Sequence, residues 1–159
     1  MPPPGERTTR STSTSAPSAR SPGDFDARVD YALLEWPAGD NIDVGLNAIY
    51  ANAAVMRESS SQWGDEYGSW VIPSNGSVAL PDTSGSLRVA RVAGIETTYF
   101  WHQGSWRKLA SSRATGSAVF GLQAMSDGQN AFGAQEVKIV FDNFKVTGIN
   151  PVCAPGSQP

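Results

Sequence analysis

The residues of this sequence best suited to chemistry are its flat aromatic side chains and the arginines that lie near them. The larger aromatic residues considered for a ligand site are Trp36, Trp63, Tyr67, Trp70, Tyr99, Trp101 and Trp106. An aromatic ring can stack on the apolar face of a pyranose, while guanidinium, amide and carboxylate groups bind the sugar hydroxyls. Five tryptophans in 159 residues suit such a site, although tryptophan and tyrosine also pack in protein cores.

The central stretch, 84–109, places several of these rings together. Ala93–Gly94 and Gln103–Gly104 have the composition of two-residue hairpin turns, and the two-residue period of strands then assigns each side chain to a face. One face is predicted to be core: Leu87, Val89, Thr98, Phe100 and Leu109. The other is predicted to bind ligand: Arg88, Ala90, Tyr99, Trp101, Trp106 and Lys108. A turn one residue longer would exchange the two faces.

Eight residues form the predicted ligand-binding set: Arg57, Trp63, Tyr67, Arg88, Arg91, Tyr99, Trp101 and Trp106. Trp63 is included because the serine-rich segment 59–64 has the composition of an exposed loop. For Trp106, a structural role is the alternative to ligand binding, since this residue closely follows a turn.

Arg57 and Arg91 are ambiguous members of this set, because both are in phase with core positions. A buried guanidinium needs a partner. Arg91 faces Glu96 across the first turn and could form a bidentate pair with it. For Arg57 the candidate partners are Asp43, Glu58 and Asp142. Alternatively, either arginine lines the mouth of the sheet and binds sugar hydroxyls.

Three aspartates on the first predicted strand are the best candidates for acid–base catalysis. Asp24, Asp26 and Asp30 share one face of this strand, on which neighbouring positions lie about 6.5–7 Å apart, a spacing that an inverting glycosidase can use. The solvent-facing half of an alternating strand explains them better, with Arg28 between them reducing their mutual repulsion. The single His102 would have to serve as base for every serine. We therefore predict no catalytic residue and expect binding rather than catalysis.

Metal ligands are scarce in the sequence. One histidine and one cysteine, Cys153, allow neither an ordinary zinc site nor an intramolecular disulfide. Oxygen ligands in 127–130 and 142–143 would suit calcium, although turn formation explains both segments equally well. No metal site and no cofactor are predicted, with calcium as the alternative.

The segments around the central stretch alternate with the period of β-strands. Strands are predicted at 24–34, 41–50, 53–58, 65–72, 76–80, 117–126 and 135–147, with a turn at 73–76 marked by Asn75–Gly76. In the last strand the apolar phase changes near 142–143, which predicts a β-bulge. About ten short strands with sixteen glycines and eleven prolines are typical of an all-β antiparallel sandwich.

Several of these segments resemble one known superfamily. SGSLRVAR followed by TTYFWHQGSW resembles the central strands of concanavalin A-like lectin/glucanase sandwiches, in particular laminin G-like members. GDFDARVDY and VKIVFDNFKVTG resemble their opening and closing strands, so the resemblance covers 23–148. The resemblance implies a jelly-roll sandwich related to sugar-binding proteins and to glucanases. The E-x-D-x-E-like run of acidic residues that those glucanases carry is missing from this sequence. The strands that usually precede GDFD are also missing, which implies an open edge, a shortened variant lacking its first strands, or a fragment.

The domain organisation follows from composition. Residues 1–22 are a Pro/Ser/Thr-rich segment predicted to be disordered, 23–148 the sandwich domain and 149–159 a C-terminal tail. Such segments often link modules of secreted proteins, so we expect a secreted or cell-surface location and other domains in a larger protein, although no signal peptide is visible. A mis-assigned start codon and a cytosolic tail are the alternatives.

Charge and hydropathy limit the partners. The first 22 residues carry three arginines and one glutamate, so the net charge of −3 leaves −5 on the remainder, which argues against nucleic acid. The sequence contains no apolar stretch of about 20 residues, so membrane insertion is not predicted. The sequence thus predicts a non-catalytic carbohydrate-binding module. A structural or protein-interaction module is the first alternative, and a glycoside hydrolase or polysaccharide lyase the second.

Overall fold

A computed structural model describes residues 19–21, 23–36, 42–126, 136–148 and 152–153, all of whose regular elements are β-strands. In chain order these are β1 (Ala19–Ser21), β2 (Phe25–Glu35), β3 (Ile42–Ile49), β4 (Ala53–Ser60), β5 (Gly64–Val71), β6 (Ser74–Ala79), β7 (Ser84–Val92), β8 (Ile95–His102), β9 (Ser105–Arg113), β10 (Ala118–Ser126), β11 (Lys138–Gly148) and β12 (Val152–Cys153).

The strands form two antiparallel sheets that pack face to face. One has seven strands in the order β12-β1-β10-β3-β4-β5-β6, and the other has five in the order β11-β2-β7-β8-β9. The apolar sides of both sheets meet in a single core that includes Val29 and Leu87 from one sheet and Leu46 and Val55 from the other. The predicted all-β antiparallel sandwich is confirmed.

The central hairpins have the predicted turn lengths. Both residues of each turn have positive φ, 50° and 72° for Ala93 and Gly94 and 49° and 78° for Gln103 and Gly104, as type I′ turns require. Val92 therefore pairs with Ile95, and His102 pairs with Ser105. These turns fix which side of β7 and β8 meets the core.

The predicted core face of the hairpins is buried. Leu87, Val89, Thr98 and Phe100 are almost completely shielded from solvent, as expected. The register shifts beside Thr98, so this threonine pairs with Ala110 and leaves Leu109 at the irregularity, half-buried against the core. A period of two carried across an irregularity places the residues beyond it in the wrong phase.

The predicted bulge in the closing strand is also present. The register of β11 against β2 shifts between Asp142 and Lys145, and Asn143 has a φ of 53°. Because of the shift, Phe141 and Phe144 both pack against the core although three positions separate them.

The predicted turn at Asn75–Gly76 is wrong. Ile72 and Pro73 form the turn, Val71 pairs with Ser74, and Asn75 and Gly76 lie within β6. A Cβ atom on Gly76 would lie 2.4 Å from the carbonyl oxygen of Leu109. The glycine therefore marks a close approach of two backbones and not a change of chain direction.

Two short strands lie inside segments predicted to be tails. β1 pairs with both β10 and β12 at the edge of the seven-stranded sheet. At 19–21 and 152–153 the chain therefore forms strands where tails were predicted. The other residues of 1–22 and 149–159 lie outside the described part of the chain. A strand of two or three residues is too short to show an alternating pattern, which is why composition alone indicated a tail.

Candidate functional site

The outer side of the five-stranded sheet brings together four of the eight predicted ligand-binding residues. We call it the aromatic–arginine face and define it by Asp26, Arg28, Arg88, Tyr99, Trp101 and Trp106. Cross-strand pairing positions them: Arg88 lies between Arg28 on β2 and Tyr99 on β8, and Trp101 lies opposite Trp106 on β9. The turn geometry described above is what directs these side chains away from the core.

The rings of this face contact one another and the arginines. The ring centroids of Trp101 and Trp106 are 5.3 Å apart at 75°, an edge-to-face arrangement. The Arg88 guanidinium lies 4.9 Å from the Tyr99 centroid and 5.6 Å from that of Trp106. Arg28 lies 5.7 Å from the Trp106 centroid. These cation–π contacts hold the rings in place, and Trp101 keeps 40% of its surface exposed.

Asp26 joins the two arginines of the face. Its carboxylate accepts hydrogen bonds from Arg28 at 2.9 and 2.8 Å and from Arg88 at 3.0 and 2.7 Å. Partial burial alone would raise the pKa of Asp26, but these hydrogen bonds and the two positive charges outweigh it and lower the pKa to about 2. Asp26 therefore stays ionised down to strongly acidic pH, and over that range the trio carries a net charge of +1.

Replacing Asp26 with asparagine should lower the free energy of unfolding by on the order of 1–2 kcal/mol near neutral pH. Because the folded-state pKa lies below the ordinary value of 3.8, this contribution is complete above about pH 5 and is lost as the pH falls towards 2. Urea unfolding between about pH 2 and 7 measures it. Glu136→Gln, which removes an exposed carboxylate just before β11 and outside this trio, is the control. A difference between Asp26→Asn and wild type that stays constant down to pH 2 would contradict the assignment.

The other two aspartates of the candidate catalytic trio are held by nearby donors. Asp24 accepts a hydrogen bond from the backbone nitrogen of Ala93 at 3.0 Å. Asp30 accepts hydrogen bonds from Ser86 Oγ at 2.5 Å and from Asn143 Nδ2 at 2.7 Å. All three carboxylates thus have structural partners within the sheet.

Arg91 lies in the core and not in a ligand site, which corrects its inclusion in the predicted set. It is 3% exposed and donates hydrogen bonds from Nε and Nη2 to Glu96 Oε1 at 3.0 and 2.6 Å. Its Nη1 donates to the carbonyl oxygen of Gly116 at 2.6 Å. The alternative prediction, an internal pair with Glu96, is confirmed, although both bonds go to one oxygen.

Arg57 is buried as well, and its ion-pair partner differs from the three candidates. Its Nη2 lies 3.1 Å from Asp65 Oδ1, and its Nε donates to the carbonyl oxygen of Asp82 at 2.9 Å. Its Nη1 donates a hydrogen bond to the backbone oxygen of Glu58. These internal partners correct the expectation that Arg57 contacts a ligand.

Tyr67 is a core residue, and its burial corrects its place in the predicted set. Its hydroxyl lies 2.7 Å from that of Tyr31 and donates to Asp82 Oδ2 at 3.1 Å. Burial raises the pKa of Tyr31 to about 12, so its hydroxyl stays protonated at physiological pH. The same Asp82 oxygen lies 3.2 Å from Nδ1 of the half-buried His102. This hydrogen-bonded chain ties the two sheets together at one end of the sandwich.

Trp63 is exposed, as its serine-rich surroundings predict, but it is separated from the other predicted residues. It lies in the turn between β4 and β5 of the seven-stranded sheet, with 65% of its surface exposed. Its backbone nitrogen donates to Ser60 Oγ at 2.9 Å. We therefore leave Trp63 out of the candidate site.

One exposed tryptophan was missing from the predicted set. Trp70 lies on the outer side of β5, with 57% of its surface exposed. The segment DEYGSWVI contains the signal, because Tyr67, Ser69 and Val71 share the inward phase and direct Trp70 outward.

The described residues contain neither a metal-binding cluster nor a membrane-spanning helix. They contain no group of three or more histidine, cysteine, aspartate or glutamate side chains arranged to hold a metal ion. The candidate calcium segment at 127–130 lies outside them. In the same part of the chain, no helix reaches the length and hydropathy needed to cross a membrane.

Comparison with known proteins identifies similar structures only. No protein-family model and no curated protein matches the sequence. A protein of unknown function from Saccharomyces cerevisiae is 12% identical, with a TM-score of 0.61 over 84% of this chain and 74% of that one. The GH43 protein BlXynB from Bacillus licheniformis is 14% identical, with a TM-score of 0.52 over 77% of this chain but only 27% of that protein. The CBM2 module of an evolved Dit protein from Lactobacillus casei BL23 phage J-1 is 10% identical, with a TM-score of 0.50 over 81% of this chain and 65% of that one.

These similarities support the sandwich fold. Sequence identities of 10–14% carry no residue of a site from one protein to another. This chain spans about a quarter of the GH43 protein, so the similarity concerns one part of a larger molecule.

Proposed function

We propose that this chain is a non-catalytic glycan-binding module of a secreted or cell-surface protein, and that it binds its ligand at the aromatic–arginine face. The observation that carries this proposal is the exposed ring of Trp101, held against Trp106 on the outer side of the sheet. An indole fixed in this way offers an apolar surface to a pyranose with little loss of side-chain entropy on binding.

The charge of the face indicates the ligand class. Arg28 and Arg88 share the single carboxylate of Asp26, and Lys108 pairs with Tyr99 across the strands. A surplus of positive charge beside exposed rings suits a neutral or acidic glycan. Arginine fixed by a carboxylate can still donate its remaining N–H groups to sugar hydroxyls.

The comparisons are compatible with this proposal. One similar fold is a module named for carbohydrate binding, and another forms about a quarter of a GH43 protein. Membership of the concanavalin A-like superfamily and its laminin G-like group is part of the proposal, as is attachment to other domains. The three aspartates that could have supported hydrolysis have structural partners, which favours binding over catalysis.

Trp101→Ala should weaken glycan binding roughly tenfold or more while lowering the free energy of unfolding by no more than about 1 kcal/mol. The side chain lies partly outside the protein, so little core packing is lost. A glycan array with the full chain identifies ligands, and calorimetric titration of wild type and variant measures the change in affinity. Trp63→Ala, which removes an exposed tryptophan from the other sheet, is the matched control.

Two outcomes would reject this assignment. Unchanged affinity of Trp101→Ala for an array-identified ligand would remove the aromatic–arginine face from the site. Absence of any glycan ligand would favour the alternative of a structural or protein-interaction module with the same fold.

A further inference from the structure

The outer side of the seven-stranded sheet has an exposed tryptophan between two clefts. Trp70 forms a wall of both. A cleft of about 340 Å³ on one side is lined mainly by polar residues, among them Glu58, Glu66, Asn75 and Ser77. A cleft of about 220 Å³ on the other side includes Asn47, Tyr50, Asn52 and Ile72. We propose that this surface, the Trp70 face, is a second carbohydrate site that binds a neutral oligosaccharide. One sugar ring stacks on Trp70, and the adjacent sugar rings occupy the two clefts.

The strand register explains why the larger cleft exists. Gly68 lies two residues before Trp70 on the same side of β5, and it pairs with Met56 on β4 and Ser77 on β6. Without a side chain at position 68, the space next to the indole remains open. A Cβ atom there would make only ordinary contacts, 3.5 Å to Glu58 Oε2 and 3.8 Å to Met56 Cε. The glycine therefore leaves room beside the ring for a ligand without being required by packing.

The outward-facing residues of β4 next to Trp70 are buried, so the surface is recessed beside the exposed indole. Met56 points to the outer side of the sheet, yet only 4% of its surface is exposed, and Ala54 on the same side is also buried. Trp70, by contrast, has more than half of its surface exposed. A shielded floor beside a projecting ring forms a recess, as small-molecule sites commonly do.

Hydrogen-bonding groups at this face are already held in place. Asn47 Nδ2 donates to Gln123 Oε1 at 2.5 Å, and Gln123 Nε2 donates to Asp43 Oδ1 at 2.6 Å. Asn47 also lines the smaller cleft. Side chains fixed by such bonds before binding lose little entropy when a sugar hydroxyl joins them.

The charge of the Trp70 face selects against acidic ligands. Among the described outward-facing residues of β3, β4, β5, β6 and β10, the charged side chains are Asp43, Glu58 and Glu66, and all are acidic. Carboxylates accept hydrogen bonds from sugar hydroxyls but repel uronic acid or sulfate groups. The favoured occupant is therefore a neutral oligosaccharide, in contrast to the cationic aromatic–arginine face.

The two faces belong to opposite sheets and share no residue, so the Trp70 face could bind sugar whether or not the other face does. The test titrates the full chain with cellohexaose, xylohexaose, mannohexaose, chitohexaose and hexagalacturonate while the indole N–H signals are followed by NMR. The Trp70 signal is identified by its absence from Trp70→Ala. We expect at least one neutral hexasaccharide to shift this signal and hexagalacturonate to leave it unchanged.

Variants distinguish binding at the Trp70 face from binding elsewhere on the protein. Trp70→Ala should weaken binding of the responding hexasaccharide roughly tenfold or more, and Gly68→Val should do the same by filling the cleft without removing any ligand-binding group. Trp63→Ala, at the far end of the same hairpin, should leave binding unchanged. Titrations repeated in Trp101→Ala, which disables the other face, should retain the shift of the Trp70 signal.

The proposal is overturned if no neutral hexasaccharide shifts the Trp70 signal, or if hexagalacturonate does. It also fails if Trp70→Ala and Gly68→Val bind the responding sugar as wild type does. A response that disappears in Trp101→Ala and persists in Trp70→Ala would support the aromatic–arginine face and reject the Trp70 face. The reverse pattern would support the Trp70 face and show that this sugar does not bind at the aromatic–arginine face.

Discussion

Replacing Arg91 with methionine should lower the free energy of unfolding by about 3–5 kcal/mol, because it leaves a carboxylate buried without its cation. Glu96 has no solvent-exposed surface, and both of its hydrogen bonds from Arg91 go to Oε1. Its Oε2 has no hydrogen-bond partner among the described residues. Methionine keeps most of the side-chain volume, so the loss measures charge and hydrogen bonding more than packing. Urea unfolding at neutral pH tests this value.

The pH dependence of the same variant provides a second test. Burial raises the pKa of Glu96 above its ordinary value of 4.5, an effect that the attraction of Arg91 opposes. A carboxyl group whose pKa is raised by folding favours the folded state at low pH, and this advantage is lost as the pH rises through the folded-state pKa. Without Arg91 the pKa should rise further. The deficit of Arg91→Met relative to wild type should therefore be smallest below about pH 4.5 and largest near neutral pH.

A double variant, Arg91→Met with Glu96→Leu, is the matched control. Replacing both partners of a buried ion pair by apolar groups is often neutral or stabilising, so the double variant should recover most of the lost stability. If the single variant is as stable as wild type, or the double variant is no more stable than the single one, the pair does not have the energetic role inferred from its geometry.

The hairpins show how far a sequence can predict this fold. Ala93–Gly94 and Gln103–Gly104 each supply both positive φ angles of a two-residue turn, and the turn length then determines every facing pair nearby. The exposed position of Trp101 follows from this local information. The same argument fails at the register shift beside Thr98, where Ala110 and not Leu109 pairs with this threonine, although Leu109 still packs against the core as predicted.

Contacts between distant segments were harder to predict. Asp65 is the partner of Arg57 because the register of β4 and β5 places both on the same side of the sheet, whereas Asp43 and Glu58 face the other side. Gly76 showed the ambiguity of glycine, which serves a turn and a close backbone approach equally well. A sequence pattern specifies which side a residue faces but not which distant element lies there.

The candidate sites also combine features that the sequence predicts with features that depend on contacts between strands. Alternation alone indicates that Trp70 and Trp101 face outward, because the residues on either side of each are in phase with the core. The clefts beside Trp70 depend on the side-by-side placement of β4, β5 and β6, which brings Gly68 next to Met56 and Ser77. That arrangement is a property of the sheet, and it cannot be read from any single strand.

Phe100→Ala should lower the free energy of unfolding by about 3–5 kcal/mol, whereas Trp101→Ala, one residue further along β8, should lower it by no more than about 1 kcal/mol. Phe100 is 2% exposed, and its ring stacks on Tyr67 at 4.2 Å and 17°, so its removal opens a cavity between the two sheets. The indole of Trp101 instead contacts Trp106 on the outer side. Thermal melts should therefore show a decrease on the order of 10 °C for Phe100→Ala and a much smaller one for Trp101→Ala. Equal losses, or a larger loss for Trp101→Ala, would mean that the indole is part of the core, and the aromatic–arginine face could then not act as a ligand platform.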